Sequence, residues 1–409
     1  MYVYTSILCF ISTEVFDMNN ADEVIQVIPI GLIVASFLLN TNRFLKAIEI
    51  CKECLFIFKD TAGLKDKKIS KLFHKWIYFS MWRACVIIKD NKNAIKFAEN
   101  ILQIHRESGE RLEECELSIN LAGMYLHQSK YAQAKRIAKR ALLICREVSH
   151  RRGEATSFEK LGVVYRSVGK YDKAREHLEK SLAIFKEIGD VRGEPSCYGM
   201  LGAVYQSVGE YDKAENLFKK ILAITRKICD RYGEAFSCQR LGAFYYSVGK
   251  YDEANQYNQE GFVITREIGA RREEAFLHEV QGAVFASIGD FIKAEEHLKA
   301  ALAISKEIGH RSGEAQCCLD LGTMLLLHGD CVRAEEYVKN ALAISEGIGH
   351  VKTQLLSLQS LAQKRVHEKK IQEAIFYFLA SISKCEKMRG SLRDNDEFKL
   401  SFSDHYSCS

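Results

Sequence analysis

Cys51 and Cys54 stand at the Cys-x-x-Cys spacing of a redox or half-zinc motif. His328 to Cys331 and His405 to Cys408 repeat a His/Cys pairing, and Cys317-Cys318 sets two thiols side by side. Each lacks the second group its chemistry needs. A zinc site takes a further Cys or His pair at metal-site spacing, and a dithiol redox centre follows a strand; neither accompanies Cys51. Cys51, Cys54, Cys317 and Cys318 are therefore expected in the core, and His328 to Cys331 across a turn. Glu273-Glu274 and Glu295-Glu296 are carboxylate pairs that could do acid–base work. They lie near Lys and Arg, which reads as a solvated helix face. No glycine-rich phosphate loop follows a strand. The residues point to no catalytic group, no metal site and no cofactor, and to a protein that is not an enzyme.

The elements that carry these residues are written as one unit many times over. Leu-Gly occurs at Leu161-Gly162, Leu201-Gly202, Leu241-Gly242 and Leu321-Gly322, with Gln281-Gly282 and Leu121-Ala122 as variants, always 40 residues apart. An aromatic follows three residues after the glycine (Tyr165, Tyr205, Tyr245, Phe285), then Gly169, Gly209, Gly249, Gly289 and Gly329. An aromatic-Asp pair such as Tyr171-Asp172 comes next, and then an invariant alanine: Ala134, Ala174, Ala214, Ala254, Ala294, Ala334 and Ala374. From Ala174 the residues Leu178, Ser181, Leu182, Phe185 and Ile188 form one stripe at helical spacing. Gly189, Gly269, Gly309 and Gly349 close that helix in the left-handed cap that suits a residue without Cβ.

Each unit is thus two helices, one roughly Arg152 to Val168 and the next roughly Asp172 to Ile188. Gly162 and Ala174 let the two backbones approach, and Tyr165 fills the gap beside them. Asp172 lies in a first turn, where its charge complements the helix dipole. Glycine is expected at every junction where proline might have stood, for only Pro29 and Pro195 occur. Pro195 and Gly199 fall within one first helix, which predicts either a late start or the softest helix of the array.

Leu161-Gly162, Tyr165, Ala174 and Leu178 resemble the tetratricopeptide repeat, a helix-turn-helix unit, here lengthened to 40 residues. That length is similar to the Leu-Gly-Asn repeat proteins of spindle orientation and to tetratricopeptide repeat protein 28-like proteins. The resemblance departs at Val163, Ala203, Ala243, Ala283 and Thr323, where the family's Asn can stand. The fold it implies is all-α, a right-handed superhelix, or α-solenoid, of about nine antiparallel helix pairs.

The expected division is an extension over 1–21, two degenerate pairs over 22–110, seven units over 111–390 and a tail over 391–409. The unit cores fall at about 115–148, 155–188, 195–228, 235–268, 275–308, 315–348 and 355–388. The tail leaves the frame without a polar capping helix, so the natural chain is expected to continue past Ser409. Val24 to Leu39 is apolar but only about 16 residues long, against roughly 20 for a membrane span, and is read as a buried capping helix, with a membrane anchor and a signal remnant as the alternatives.

Composition agrees with a large helical core: 47% hydrophobic, 27% charged, and 2 prolines in 409 residues. A net charge of +5, from 58 basic and 53 acidic residues in short runs, is too weak for a dedicated nucleic-acid binder. The 14 scattered cysteines, without an Asn-x-Ser/Thr acceptor, suit free thiols in a reducing cytoplasm.

What remains is surface. At about 100° per residue, Phe158, Leu161, Gly162, Tyr165 and Val168 point into the packing, while Thr156, Glu159, Val163, Arg166 and Ser167 point the other way. In the tetratricopeptide family the second stripe lines a concave groove that holds a peptide. Along the array it gives Arg166, Gln206 and Tyr246 at one depth and Glu159, Gln239 and Glu279 at another, flanked by Lys160, Arg240 and Asp320. These nine residues are the candidate groove. They change from unit to unit while the packing face stays constant, as a binding surface on a repeated scaffold would, and as drift in an unused surface would too. The expected role is a scaffold for protein or peptide partners, and the resemblance implies a cytoplasmic adaptor in signalling, cell division or polarity. The alternative is the regulatory half of a longer chain bearing a caspase-like domain. Oligomeric state is not legible.

Overall fold

The computed structural model describes residues 21–390 other than 42, 61–66 and 89, and these form eighteen helices with no strand. Residues 1–20 of the expected extension over 1–21, the tail over 391–409 and the pair His405 to Cys408 lie outside the described residues. Contacts divide the chain into two units, residues 1–124 and 125–409, with the boundary inside α5 (Arg111–His127).

The first unit holds α1 (Ala21–Asn40), α2 (Phe44–Asp60), α3 (Lys67–Ile87), α4 (Asn91–Ser108) and most of α5. The apolar segment is α1, and it buries Ile28, Ala35, Leu38 and Leu39 in a cluster with Cys51 and Cys54 of α2. Gly31 is the point of closest approach, since a Cβ there would collide with Sγ of Cys54. Cys51 and Cys54 are core residues, as expected, and burial pushes the Cys51 thiol up to about 12. No described helix is long and apolar enough to cross a membrane.

The second unit continues with α6 (Tyr131–Glu147), α7 (Arg151–Ser167), α8 (Tyr171–Glu187), α9 (Glu194–Ser207), α10 (Tyr211–Lys227) and α11 (Arg231–Ser247). After these come α12 (Tyr251–Ile268), α13 (Arg271–Ser287), α14 (Phe291–Glu307), α15 (Arg311–His328), α16 (Cys331–Ile348), α17 (Val351–His367) and α18 (Ile371–Gly390). Each odd-numbered helix from α7 pairs with the even one after it. The repeated small residues set how closely they pack: a Cβ on Gly162 would lie 2.6 Å from Cγ of Leu178 and 3.3 Å from the Ala174 carbonyl. Gly282 stands in the same relation to Leu298, at 2.7 Å.

Gly169 and the other junction glycines adopt positive φ, as the sequence predicts. Glycine does not hold every junction, however. Ser129, Ser149, Cys229 and Lys369 take the same left-handed turn at φ of 54° to 60°, because the backbone hydrogen bonds that reverse the chain require it whatever the side chain. The helix carrying Pro195 does start late: α9 has 14 residues, where α7 and α11 have 17.

One expectation is corrected. Glu273 and Glu274 are not on a solvated face; both are 7% exposed. Glu274 accepts a hydrogen bond from Arg271 Nη1 at 2.6 Å with Arg266 3.6 Å away, and Glu273 accepts one from the Tyr232 hydroxyl. The same clamp recurs. Glu154 is held by Arg146 at 2.8 Å and Arg151 at 2.5 Å, and Glu234 by Arg226 at 2.9 Å and Arg231 at 2.7 Å. Arg151, Arg231 and Arg271 each extend a second arm to Glu187, Glu267 and Glu307 of the following helix. A carboxylate carried this far from water is tolerable because charged donors occupy its lone pairs. At the start of α9 the pattern fails in both members, where Val191 stands in place of the arginine and Lys227 in place of the distal glutamate.

Candidate functional site

Within the second unit α7 touches α9, α11 touches α13, α13 touches α15 and α15 touches α17, in addition to the partner helix of each. The odd helices thus crowd together on one side of the stack. Phe158, Leu161, Gly162, Tyr165 and Val168 are buried in the packing, as expected. Thr156, Val163, Arg166 and Ser167, on the opposite stripe, are half-buried.

The nine candidate residues separate by depth. Glu159 and Gln239 are nearly buried, at 9% and 8%, where successive odd helices meet. Lys160, Arg166, Gln206, Arg240, Tyr246, Glu279 and Asp320 keep partial exposure. Lys160 lies 3.4 Å from the Glu159 carboxylate. Gln206 donates to the Ser247 hydroxyl at 2.7 Å, tying α9 to α11. The Tyr246 ring lies 6.2 Å from that of Tyr251.

Two like-charged groupings emerge. Arg240 stacks on Phe236, its guanidinium 5.0 Å from the ring centre, and burial followed by the charge of Arg166 holds it below its ordinary value. Further along, burial and then the charge of Asp320 push the Glu279 carboxyl up to about 8. Burial likewise pushes Asp320 up to about 6, against a 2.8 Å hydrogen bond donated by Gln316. Cys317, in the core as expected, donates its thiol to Glu279 Oε1 at 3.1 Å. Arg240, Glu279 and Asp320 have no ion-pair partner among the described residues. The arrangement brings Arg166 to Arg240 and Glu279 to Asp320, a basic stretch over α7 to α11 and an acidic one over α13 to α15.

Phe236 and Phe276 lie on the same stripe and were not singled out from the sequence; they are 40% and 38% exposed. Their 40-residue separation, in register with Thr156, was the available signal. Among the described residues no group of three or more His, Cys, Asp or Glu side chains could hold a metal ion.

The family model described as Tetratricopeptide repeat matches residues 113–187, 196–267 and 273–347, more than half of the chain. The chain belongs to the tetratricopeptide repeat family. No curated protein matches it. Among solved structures, the tetratricopeptide array here is similar to a Rap protein complexed with Competence and Sporulation Factor, at a TM-score of 0.58 and 14% identity over 90% of this chain and 99% of that one. It is similar also to the Rap conjugation gene regulator of the plasmid pLS20 in complex with the Phr* peptide, at 0.56 and 13% over 90% and 97%. Aspartyl phosphate phosphatase F from Bacillus subtilis gives 0.54 and 15% over 91% and 95%. At these identities the likeness is one of fold: an all-α helical repeat of the tetratricopeptide type.

Proposed function

We propose that the stripe of α7 to α15 opposite the packing face is a groove for a peptide segment of a partner, with acidic residues over Arg166 and Arg240 and basic residues over Glu279 and Asp320. One observation carries this reading: like charges are held together at each end of a half-buried face, and Arg240, Glu279 and Asp320 have no ion-pair partner there. An unpaired Arg240, and a Glu279 carboxyl that burial and Asp320 keep protonated, weaken the free fold, and a complex that brings opposite charge is strengthened by letting these groups ionise and pair. Phe236 and Phe276 between the two ends supply apolar contact of the kind that anchors interfaces. The similarly folded pLS20 regulator with its Phr* peptide supports a peptide as the occupant.

The role that fits is a signalling adaptor without chemistry of its own. The twelve free cysteines among the described residues support a reducing, cytoplasmic setting, and the balanced charge argues against nucleic acid as the partner. The deciding experiment captures partners with the full chain and with Arg166→Glu/Arg240→Glu. A partner retained by the wild type and lost by the double variant, at equal thermal stability, is the expected result. Equal retention would remove the groove from α7 to α11.

A further inference from the structure

The first unit contains a feature that the groove does not use. Both tryptophans of the chain, Trp76 and Trp82, lie on α3 with Phe79 midway between them, a spacing of three that places all three on one side of a helix. They line a cavity of about 300 Å³, at the small end of ligand pockets, which run from about 300 to 1,000 Å³. The rings of Phe79 and Trp82 are 5.5 Å apart and tilted by 47°. Trp76 and Phe79 remain 53% and 43% exposed, an unusual cost for large aromatics that no described residue covers.

Ile101 of α4 and Leu117 of α5 form the apolar floor, and both are buried. Glu113 and Glu116 of α5 put carboxylates at the border. The basic residues of the lining are already engaged: Lys75 Nζ is 2.7 Å and His105 Nδ1 2.5 Å from the same Glu110 oxygen. The Lys75 hydrogen bond in turn holds the Glu110 carboxyl below its ordinary value. An anion would therefore meet aromatic faces and an acidic rim, with no free cation among the described lining residues.

We propose that this cavity binds a quaternary ammonium group, the trimethylated lysine side chain of a partner polypeptide. Aromatic faces attract cations through the ring quadrupole, most strongly where the cation is easily stripped of water. A bare lysine ammonium is compact and strongly hydrated, and a guanidinium is flat and suits parallel rings. A trimethylammonium head is rounded and weakly hydrated, which matches walls set at an angle. The open mouth, with Trp76 and Phe79 half in solvent, suits the end of a long side chain better than a molecule enclosed whole. The site is independent of the groove over α7 to α15.

Because the chain has no other tryptophan, its tryptophan fluorescence, excited where tyrosine does not absorb, reports this cavity alone. The full chain is titrated with the peptide Gly-Ser-Lys-Ser-Gly carrying trimethyl-lysine, with the same peptide unmodified, with a version bearing a neutral tert-butyl side chain of equal shape, and with choline. Saturable quenching by the trimethylated peptide, at least about tenfold tighter than by the unmodified or neutral peptide, is expected. Phe79→Ala and Glu113→Gln, which keep both tryptophans, should each weaken it several-fold at unchanged helical circular dichroism. Equal binding of the neutral peptide overturns the cation assignment. Choline binding as tightly as the peptide overturns the assignment to a side chain, and an absence of quenching by all four overturns the site.

Discussion

The carboxylate of Glu234, in the first turn of α11, accepts a 2.9 Å hydrogen bond from Nε of Arg226, in the last turn of α10. Arg231 completes the clamp at 2.7 Å, so one carboxylate joins the end of one helix pair to the start of the next. No proline stands at this junction, and the arginine clamp fastens it.

Glu234→Ala should therefore destabilise the chain by about 2 kcal/mol, the scale of a buried hydrogen bond to a charged group. The matching Glu194→Ala should cost much less, because Glu194 has only a 3.3 Å hydrogen bond from Tyr198. Urea unfolding of both variants tests the difference. Arginine donors hold the Glu234 carboxyl below its ordinary value against the opposing effect of burial. Its contribution is present above the unfolded pKa and is lost as pH falls through the depressed folded one.

Glu279 behaves in the opposite sense. Burial and Asp320 raise its carboxyl from 4.5 to about 8, so the folded protein keeps a proton that the unfolded chain has already released. Stability from this group declines as pH rises from the ordinary value towards about 8 and then levels. Glu279→Gln should raise the melting temperature at pH 8 more than at pH 5. A variant with the wild type's pH slope would contradict the assignment.

Cys229 holds φ at 54°, where glycine serves in most units. The left-handed turn costs an L-residue about 1–2 kcal/mol, and glycine gives back about 0.5–1 kcal/mol through its freer unfolded chain. Cys229→Gly should therefore stabilise by about 0.5–1 kcal/mol, read from thermal melts.

Ala214 is fully buried where α10 packs. Ala214→Leu should overfill that site and destabilise by about 1–3 kcal/mol, measured by denaturant unfolding.

The amides of α9 should exchange faster than those of α7 and α11. The helix is three residues shorter, carries Gly199 in its interior and lacks the arginine clamp at its start. Native-state hydrogen exchange resolved by helix decides this, and uniform protection would refute it.

The period of 40, the paired helices and the packing role of Gly162 were legible because backbone approach restricts those positions to small residues. The stripe opposite the packing face was legible from helix geometry, with Arg166 on it and Arg240 flanking it. Its depth was not. Glu159 and Gln239 share that stripe yet lie where neighbouring odd helices touch, and such contacts join residues about 40 apart. The buried glutamates escaped for a related reason. Glu274 beside Arg271 reads as an exposed helical ion pair until the end of the preceding helix is seen to cover it. The aromatic cavity joins α3, α4 and α5, and no spacing within one of them announces it.

The strict register of the second unit has one more consequence. Val191 and Arg231 follow the same turn, as do Asp190 and Asp230, so excising residues 191–230 would splice Asp190 directly onto Arg231. Lys186 would then face Glu234, the chain would re-enter a helix with an intact clamp residue at its head, and the poorest unit would be gone without a seam. Such an array changes length in whole units, one repeat at a time.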